Sequence, residues 1–122
     1  MKGISITDAE LEVMKILWDA TEGLTTGEVK NRLDRSWERT TVLTLLTRLC
    51  EKGAVSAEKT GRSFLYKSLV KKEEYGLSKT QGILNSIYNG SVKSMVAALY
   101  SGGDLTKEDL RELRAFLEKG SE

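Results

Sequence analysis

The sequence predicts a mainly α (α+β) chain: a winged helix-turn-helix domain over residues 1–70, then a small helical dimerisation domain over residues 71–122. Three observations carry this. Three capped helical segments precede a two-strand hairpin pattern, which is the order of a winged helix. The third helix bears short hydroxyls on its outer face, where a surface helix usually bears long charged side chains. Net positive charge is confined to the middle of the chain.

The first helix is announced by Thr7-Asp8-Ala9-Glu10, a capping box in which Thr7 caps and Glu10 reaches back. Leu11, Met14, Leu17 and Trp18 follow at helical spacing as its expected buried stripe, and Gly23 closes the segment. Thr25-Thr26-Gly27-Glu28 opens a second helix in the same way, with Val29 and Leu33 facing inward. Ser36 is the expected cap of a third helix running to about Lys52.

Within that third helix Val42, Leu45, Leu46 and Leu49 recur at i, i+3, i+4 and i+7, one inward stripe. At about 100° per residue, Thr40, Thr44 and Thr47 point directly away from it. Leu43 flanks them on one side, and Thr41, Arg48 and Lys52 on the other. Gly53 is the expected helix stop. From Ala54 to Leu69 strand formers surround Lys59-Thr60-Gly61-Arg62, a hairpin with a short basic tip.

The remainder reads as helical. One helix runs from Lys72 to Tyr88, broken by Asn89-Gly90-Ser91, with Ser91 capping the next. After Ser101-Gly102-Gly103-Asp104, Thr106-Lys107-Glu108-Asp109 resembles a capping box with Asp in place of Glu. These helices carry Ile83, Ile87, Val92, Met95, Val96, Leu99, Tyr100, Leu110, Leu113, Phe116 and Leu117. A segment of about 50 residues buries that much apolar surface poorly by itself, so a second copy of the chain is the expected cover.

Charge sharpens the functional expectation. The net charge of +1 divides into −4 over residues 1–29, +7 over residues 30–72 and −2 over residues 73–122. A basic middle between acidic ends is the pattern of a localised site for an anionic polymer. Side chains on the N-terminal half of a helix in the major groove must be short enough to approach base edges. Arg39, Thr40, Thr41, Leu43, Thr44 and Thr47 meet that requirement by position or size. Arg48 and Lys52 are expected nearer a phosphate strand, and Lys59 and Arg62 at the wing tip would hold the flanking backbone. The expected partner is double-stranded operator DNA.

Other classes are disfavoured. With 39% hydrophobic and 30% charged residues the chain has an ordinary globular composition. It has no apolar run near the roughly 20 residues that cross a bilayer. Met1-Lys2-Gly3-Ile4-Ser5 does not open a signal peptide, so no membrane insertion and a cytoplasmic location are expected. Histidine is absent, which removes the commonest general base and metal ligand. Cys50 stands alone and is expected to be a packing residue. Neither metal nor cofactor is expected, and the chain is not expected to be an enzyme. Two other classes stay open on sequence alone: a winged-helix module that docks on another protein, and a regulator gated by a small molecule.

The segment Thr40-Thr41-Val42-Leu43-Thr44-Leu45-Leu46-Thr47-Arg48-Leu49, followed by Glu51-Lys52-Gly53, resembles the recognition-helix region of the penicillinase repressor family. Thr7 to Trp18 is similar to that family's opening helix, Phe64-Leu65-Tyr66 to its second wing strand, and Val92 to Val96 to part of its C-terminal domain. The resemblance implies a homodimer on a palindromic operator, joined through the C-terminal helices, that represses antibiotic-resistance or related stress genes. It further implies a sensor-linked protease that cuts the C-terminal domain. The family's best-known cleaved bond is Asn-Phe, whereas the matching position here is Ala98-Leu99. The paired cysteines of the copper-responsive branch have no counterpart, so copper sensing is not expected.

Overall fold

A computed structural model describes residues 4–120. Met1, Lys2 and Gly3, part of the stretch weighed above as a leader, lie outside the described residues, as do residues 121 and 122. The order is α1 (Asp8–Asp19), α2 (Thr26–Arg32), α3 (Arg39–Glu51), β1 (Val55–Thr60), β2 (Ser63–Ser68), α4 (Lys72–Ile87), α5 (Val92–Ser101) and α6 (Lys107–Gly120). The chain divides into two units, 1–78 and 79–122, each described separately.

In the first unit the expected caps form. The N–H of Thr7 donates to Oε1 of Glu10 at 2.9 Å, and the N–H of Glu10 donates to Oγ1 of Thr7 at 3.2 Å. Thr25 and Glu28 exchange the same pair of bonds at 2.9 and 3.1 Å. Such boxes satisfy N–H groups that a helix start otherwise leaves open.

Three local expectations change. Ser36 does not cap α3: the N-cap is Glu38, which makes no side-chain cap bond. The turn before α3 carries Arg35 and Trp37. The Arg35 guanidinium lies 5.5 Å over the Trp37 ring and 3.8 Å from Glu12 of α1. The buried face of α1 is Glu10, Val13, Met14 and Leu17, while Leu11 is only half-buried. A carboxylate occupies a core position there, for a reason given below. Finally, β2 has a second neighbour, because Leu24 and Tyr66 exchange backbone bonds of 3.1 and 2.7 Å. One residue pair leaves no alternation pattern to read.

At the end of α3, Gly53 adopts φ +81°, the N–H of Gly53 donates to the Cys50 carbonyl, and that of Ala54 to the Leu49 carbonyl. This left-handed stop is favoured by a residue without Cβ, and it turns the chain straight into β1. The strands pair antiparallel from Val55↔Ser68 to Thr60↔Ser63, leaving Gly61 and Arg62 as a two-residue turn. Gly61 has φ +64°, the left-handed conformation such tight hairpins require at their first central position.

The core is the predicted α3 stripe of Val42, Leu45, Leu46 and Leu49, packed with Val13, Met14, Leu17, Leu24, Val29, Val55 and Tyr66. Tyr75 of α4 joins it, with its ring 6.0 Å from that of Trp18. The Trp18 indole N–H donates to the Val70 carbonyl at 3.0 Å. The sequence places the domain division after residue 70. In the structure the first turn of α4 belongs with the N-terminal unit, because Tyr75 buries its ring there.

The second unit contains the end of α4, then α5 and α6. Asn89 at φ +51° and Gly90 make the break that the sequence predicts. Ser91 accepts from the N–H of Ser94 at 3.1 Å, and Thr106 and Asp109 exchange two bonds of 3.0 Å. Neither α5 nor α6 has a buried residue. Among the described residues, no helix is long and apolar enough to cross a membrane.

Candidate nucleic-acid interface

The stripe that buries one side of α3 determines what the other side presents. Arg39, Thr40, Thr41, Leu43, Thr44, Thr47 and Arg48 are all exposed. No Asp or Glu lies among them before Glu51. The threonines are not equivalent. The Thr44 hydroxyl donates to the Thr40 carbonyl one turn back at 2.9 Å, so its proton is already committed. Thr44 therefore presents a methyl group and an acceptor oxygen. The hydroxyls of Thr40, Thr41 and Thr47 make no hydrogen bond among the described residues and can donate as well as accept.

The wing supplies the second wall. A groove of about 380 Å³ is lined by Arg39, Leu43 and Thr47 from α3 and by Arg62, Ser63 and Phe64 from the wing. Four residues predicted from sequence are thus brought together around one depression. Lys59 is exposed on β1, opposite Phe64. Thr40, Thr41, Thr44 and Arg48 lie elsewhere on the exposed side of α3.

Lys52 is bonded within the chain. Its Nζ donates to the Ser5 carbonyl at 2.7 Å and to Oε1 of Glu10 at 2.5 Å. The Glu10 side chain is only 1% exposed. Burial pushes the Glu10 carboxyl up, but the Lys52 ammonium and the Thr7 N–H outweigh that and leave it below its ordinary value. Lys52 keeps a buried carboxylate charged, a role its place in the sequence does not show. From sequence it could not be separated from Arg48, because its partner lies far back in the chain.

Cys50 is half-buried, and burial followed by the neighbouring Glu51 charge raises its thiol above the ordinary value. That suits a packing residue. Phe64 is the residue sequence reasoning missed. The sequence places it on a wing strand without a role, although alternation with Tyr66 puts both on one face.

In the second unit, the predicted dimerisation residues Ile83, Ile87, Val92, Leu99, Leu110, Leu113, Phe116 and Leu117 are exposed, and Met95 and Val96 are half-buried. Ala98 and Leu99, the predicted cleavage position, are both exposed on α5.

Three helices, a wing and an acid-poor hydroxyl face on the third helix define the winged-helix class of transcription regulator. The chain belongs to the penicillinase repressor family, whose profile matches residues 6–119. It is 38% identical over 116 residues to the penicillinase repressor of Bacillus licheniformis, covering 93% of this chain and 90% of that protein. It is 31% identical over 119 residues to the methicillin resistance regulatory protein MecI of Mammaliicoccus sciuri, covering 97% of each. Among solved structures, the DNA-binding domain of the repressor BlaI is similar at 41% identity and TM-score 0.54, over 62% of this chain and 94% of that one. The same coverage and identity, at TM-score 0.52, relate the chain to monomeric Bacillus licheniformis BlaI in complex with the blaP half-operator.

Proposed function

We propose that this chain is a sequence-specific DNA-binding transcriptional repressor of antibiotic-resistance genes, acting as a homodimer on a palindromic operator. The observation that carries it is the exposed face of α3, free of carboxylates from Arg39 to Cys50 and beside a wing bearing Lys59 and Arg62. Its similarity to a domain solved in complex with a half-operator supports the same function. Base edges are read by Thr40, Thr41, Thr44 and Thr47, Leu43 packs on the strand beside them, and Arg39, Arg48, Lys59 and Arg62 neutralise phosphates. The test is titration of an operator duplex and a random duplex across a salt series. Affinity for both should fall steeply with salt. Binding that ignores salt and sequence would overturn the proposal and favour a protein-docking module.

Dimerisation is supported by the exposed apolar residues of α4, α5 and α6, of which Phe116 is 66% exposed. A second copy covers them and presents two recognition helices to two half-sites. For release we propose a sensor-linked protease cutting between Ala98 and Leu99. The Leu99 carbonyl accepts from the N–H groups of Asp104 and Leu105, so this cut severs α5 just before the turn that ends it. Full-length protein persisting in induced cells, by mass spectrometry, would rule that mechanism out.

A further inference from the structure

The inner face of the wing runs past the end of the core. Ala57 pairs with Tyr66 and Lys59 with Phe64, so Tyr66 and Phe64 share one face of the hairpin. Tyr66 is 6% exposed, yet Phe64, two residues nearer the tip, is 45% exposed. Leu43 lines the same groove from the helix side and is 42% exposed. Phe64 from the wing and Leu43 from the outer side of α3 thus set two half-exposed apolar side chains in one groove.

Charge says what covers it. Arg39 and Arg62 line this groove, and none of its lining residues is acidic. Two other grooves of the same unit mix the signs: one sets Asp19, Glu22 and Glu73 against Lys67, Lys71 and Lys72, the other sets Asp19, Glu22 and Glu28 against Arg32. An occupant that alternates apolar and anionic surface fits the groove of Leu43, Phe64, Arg39 and Arg62, which carries cations and apolar side chains without a carboxylate. A deoxyribose-phosphate strand has that alternation, because its sugar lacks the 2′-hydroxyl and each sugar is flanked by phosphates.

We propose that this groove takes one sugar-phosphate strand of the operator duplex, with Phe64 and Leu43 packed on deoxyribose and Arg39 and Arg62 on the adjoining phosphates. Phe64 is thus a positioning residue, which seats the wing on the backbone and carries no base information. Its role depends on the chain binding duplex DNA as proposed above.

The full chain, Phe64→Ala, Phe64→Leu and Arg62→Ala are titrated against an operator duplex, obtained by selection with the wild-type chain, and a random duplex over a salt series. Phe64→Ala should weaken both by about five- to tenfold, since roughly half a phenyl ring stays wet. Its salt slope should match wild type, because an apolar contact releases no counterion, whereas Arg62→Ala should reduce the slope by about 1. Phe64→Leu should recover most of the loss. In a second measurement, single ribonucleotides are placed along the operator strands. A 2′-hydroxyl at one or two neighbouring positions should weaken wild-type binding and leave Phe64→Ala unaffected. Should Phe64→Ala fail to fold by circular dichroism, Phe64→Leu and the wild-type ribonucleotide scan decide. Wild-type affinity in Phe64→Ala, loss confined to the operator duplex, or a scan with no sensitive position overturns the assignment while DNA binding stands. A wild-type chain that binds no duplex overturns both.

Discussion

Lys52 at the end of α3 holds Glu10 at the start of α1, with Nζ 2.5 Å from Oε1 across 42 residues of sequence. The same Glu10 carboxylate closes the cap of α1 through the Thr7 N–H at 2.9 Å. One buried group therefore ties the recognition helix to the helix behind it.

Lys52→Met should destabilise the protein, because removing one partner leaves the other charge buried. Fully buried pairs lose about 3–5 kcal/mol on such a change. Lys52 keeps a third of its side-chain exposure, so roughly 2–3 kcal/mol is expected by urea unfolding. The salt slope of DNA binding by the folded variant should equal that of wild type. A slope lowered by about 1 would return Lys52 to the phosphate contacts.

Acid should act through the same pair. The Glu10 carboxyl titrates below its ordinary value of 4.5 in the folded chain. Its ion pair thus contributes fully above that value and is lost as pH falls through the lower folded value. Unfolding free energy should decline as pH drops below about 4.5, and Glu10→Gln should flatten that limb while lowering the plateau. An unchanged limb in Glu10→Gln would assign acid sensitivity elsewhere.

Thr47 and Thr44 should behave differently. Thr47→Ala should cost operator affinity by roughly 1–3 kcal/mol and leave random-duplex affinity nearly unchanged. Thr44→Val keeps the methyl group but loses an oxygen whose proton is already donated to Thr40, so a smaller loss is expected than for Thr44→Ala. Equal losses in the two Thr44 variants would show that its oxygen makes the contact.

Trp18→Phe removes the indole N–H that donates to the Val70 carbonyl. A loss of about 1 kcal/mol is expected, together with faster amide exchange in the first turn of α4. Exchange unchanged there would mean that Tyr75 alone anchors that turn.

A fragment ending at Ser78 should fold as a monomer and bind one half-site weakly, because it keeps Tyr75 and lacks α5 and α6. A fragment ending at Val70 should be less stable, since it loses that ring. Sedimentation and operator titration check both. A Ser78 fragment that dimerises, or binds the full operator like the intact chain, would sink the proposed role of the C-terminal helices.

Local chemistry announced most of the architecture. The caps at Thr7, Thr25 and Ser91 and the left-handed stop at Gly53 each join residues a few positions apart. The α3 stripe shows in sequence because helical periodicity places Val42, Leu45, Leu46 and Leu49 on one side whatever packs there. Its complement, the hydroxyl face, follows from the same geometry. Ser36 is not the cap because the helix begins at Arg39, three residues on, which makes Glu38 the N-cap.

Where a side chain's meaning depended on a distant partner, only the folded chain could supply it. Lys52 reads as one more cation until Glu10 is found beside it, and Trp18 as a core residue until its indole meets Val70, 52 residues on. Phe64 is an ordinary strand residue until the hairpin register carries it beyond the core, to face Leu43 and two arginines around one groove. Periodicity assigns a residue to a face. What lies opposite that face is set by long-range packing, which is why the Glu10 partner of Lys52 and the place of Phe64 beside Leu43 are visible only in the folded chain.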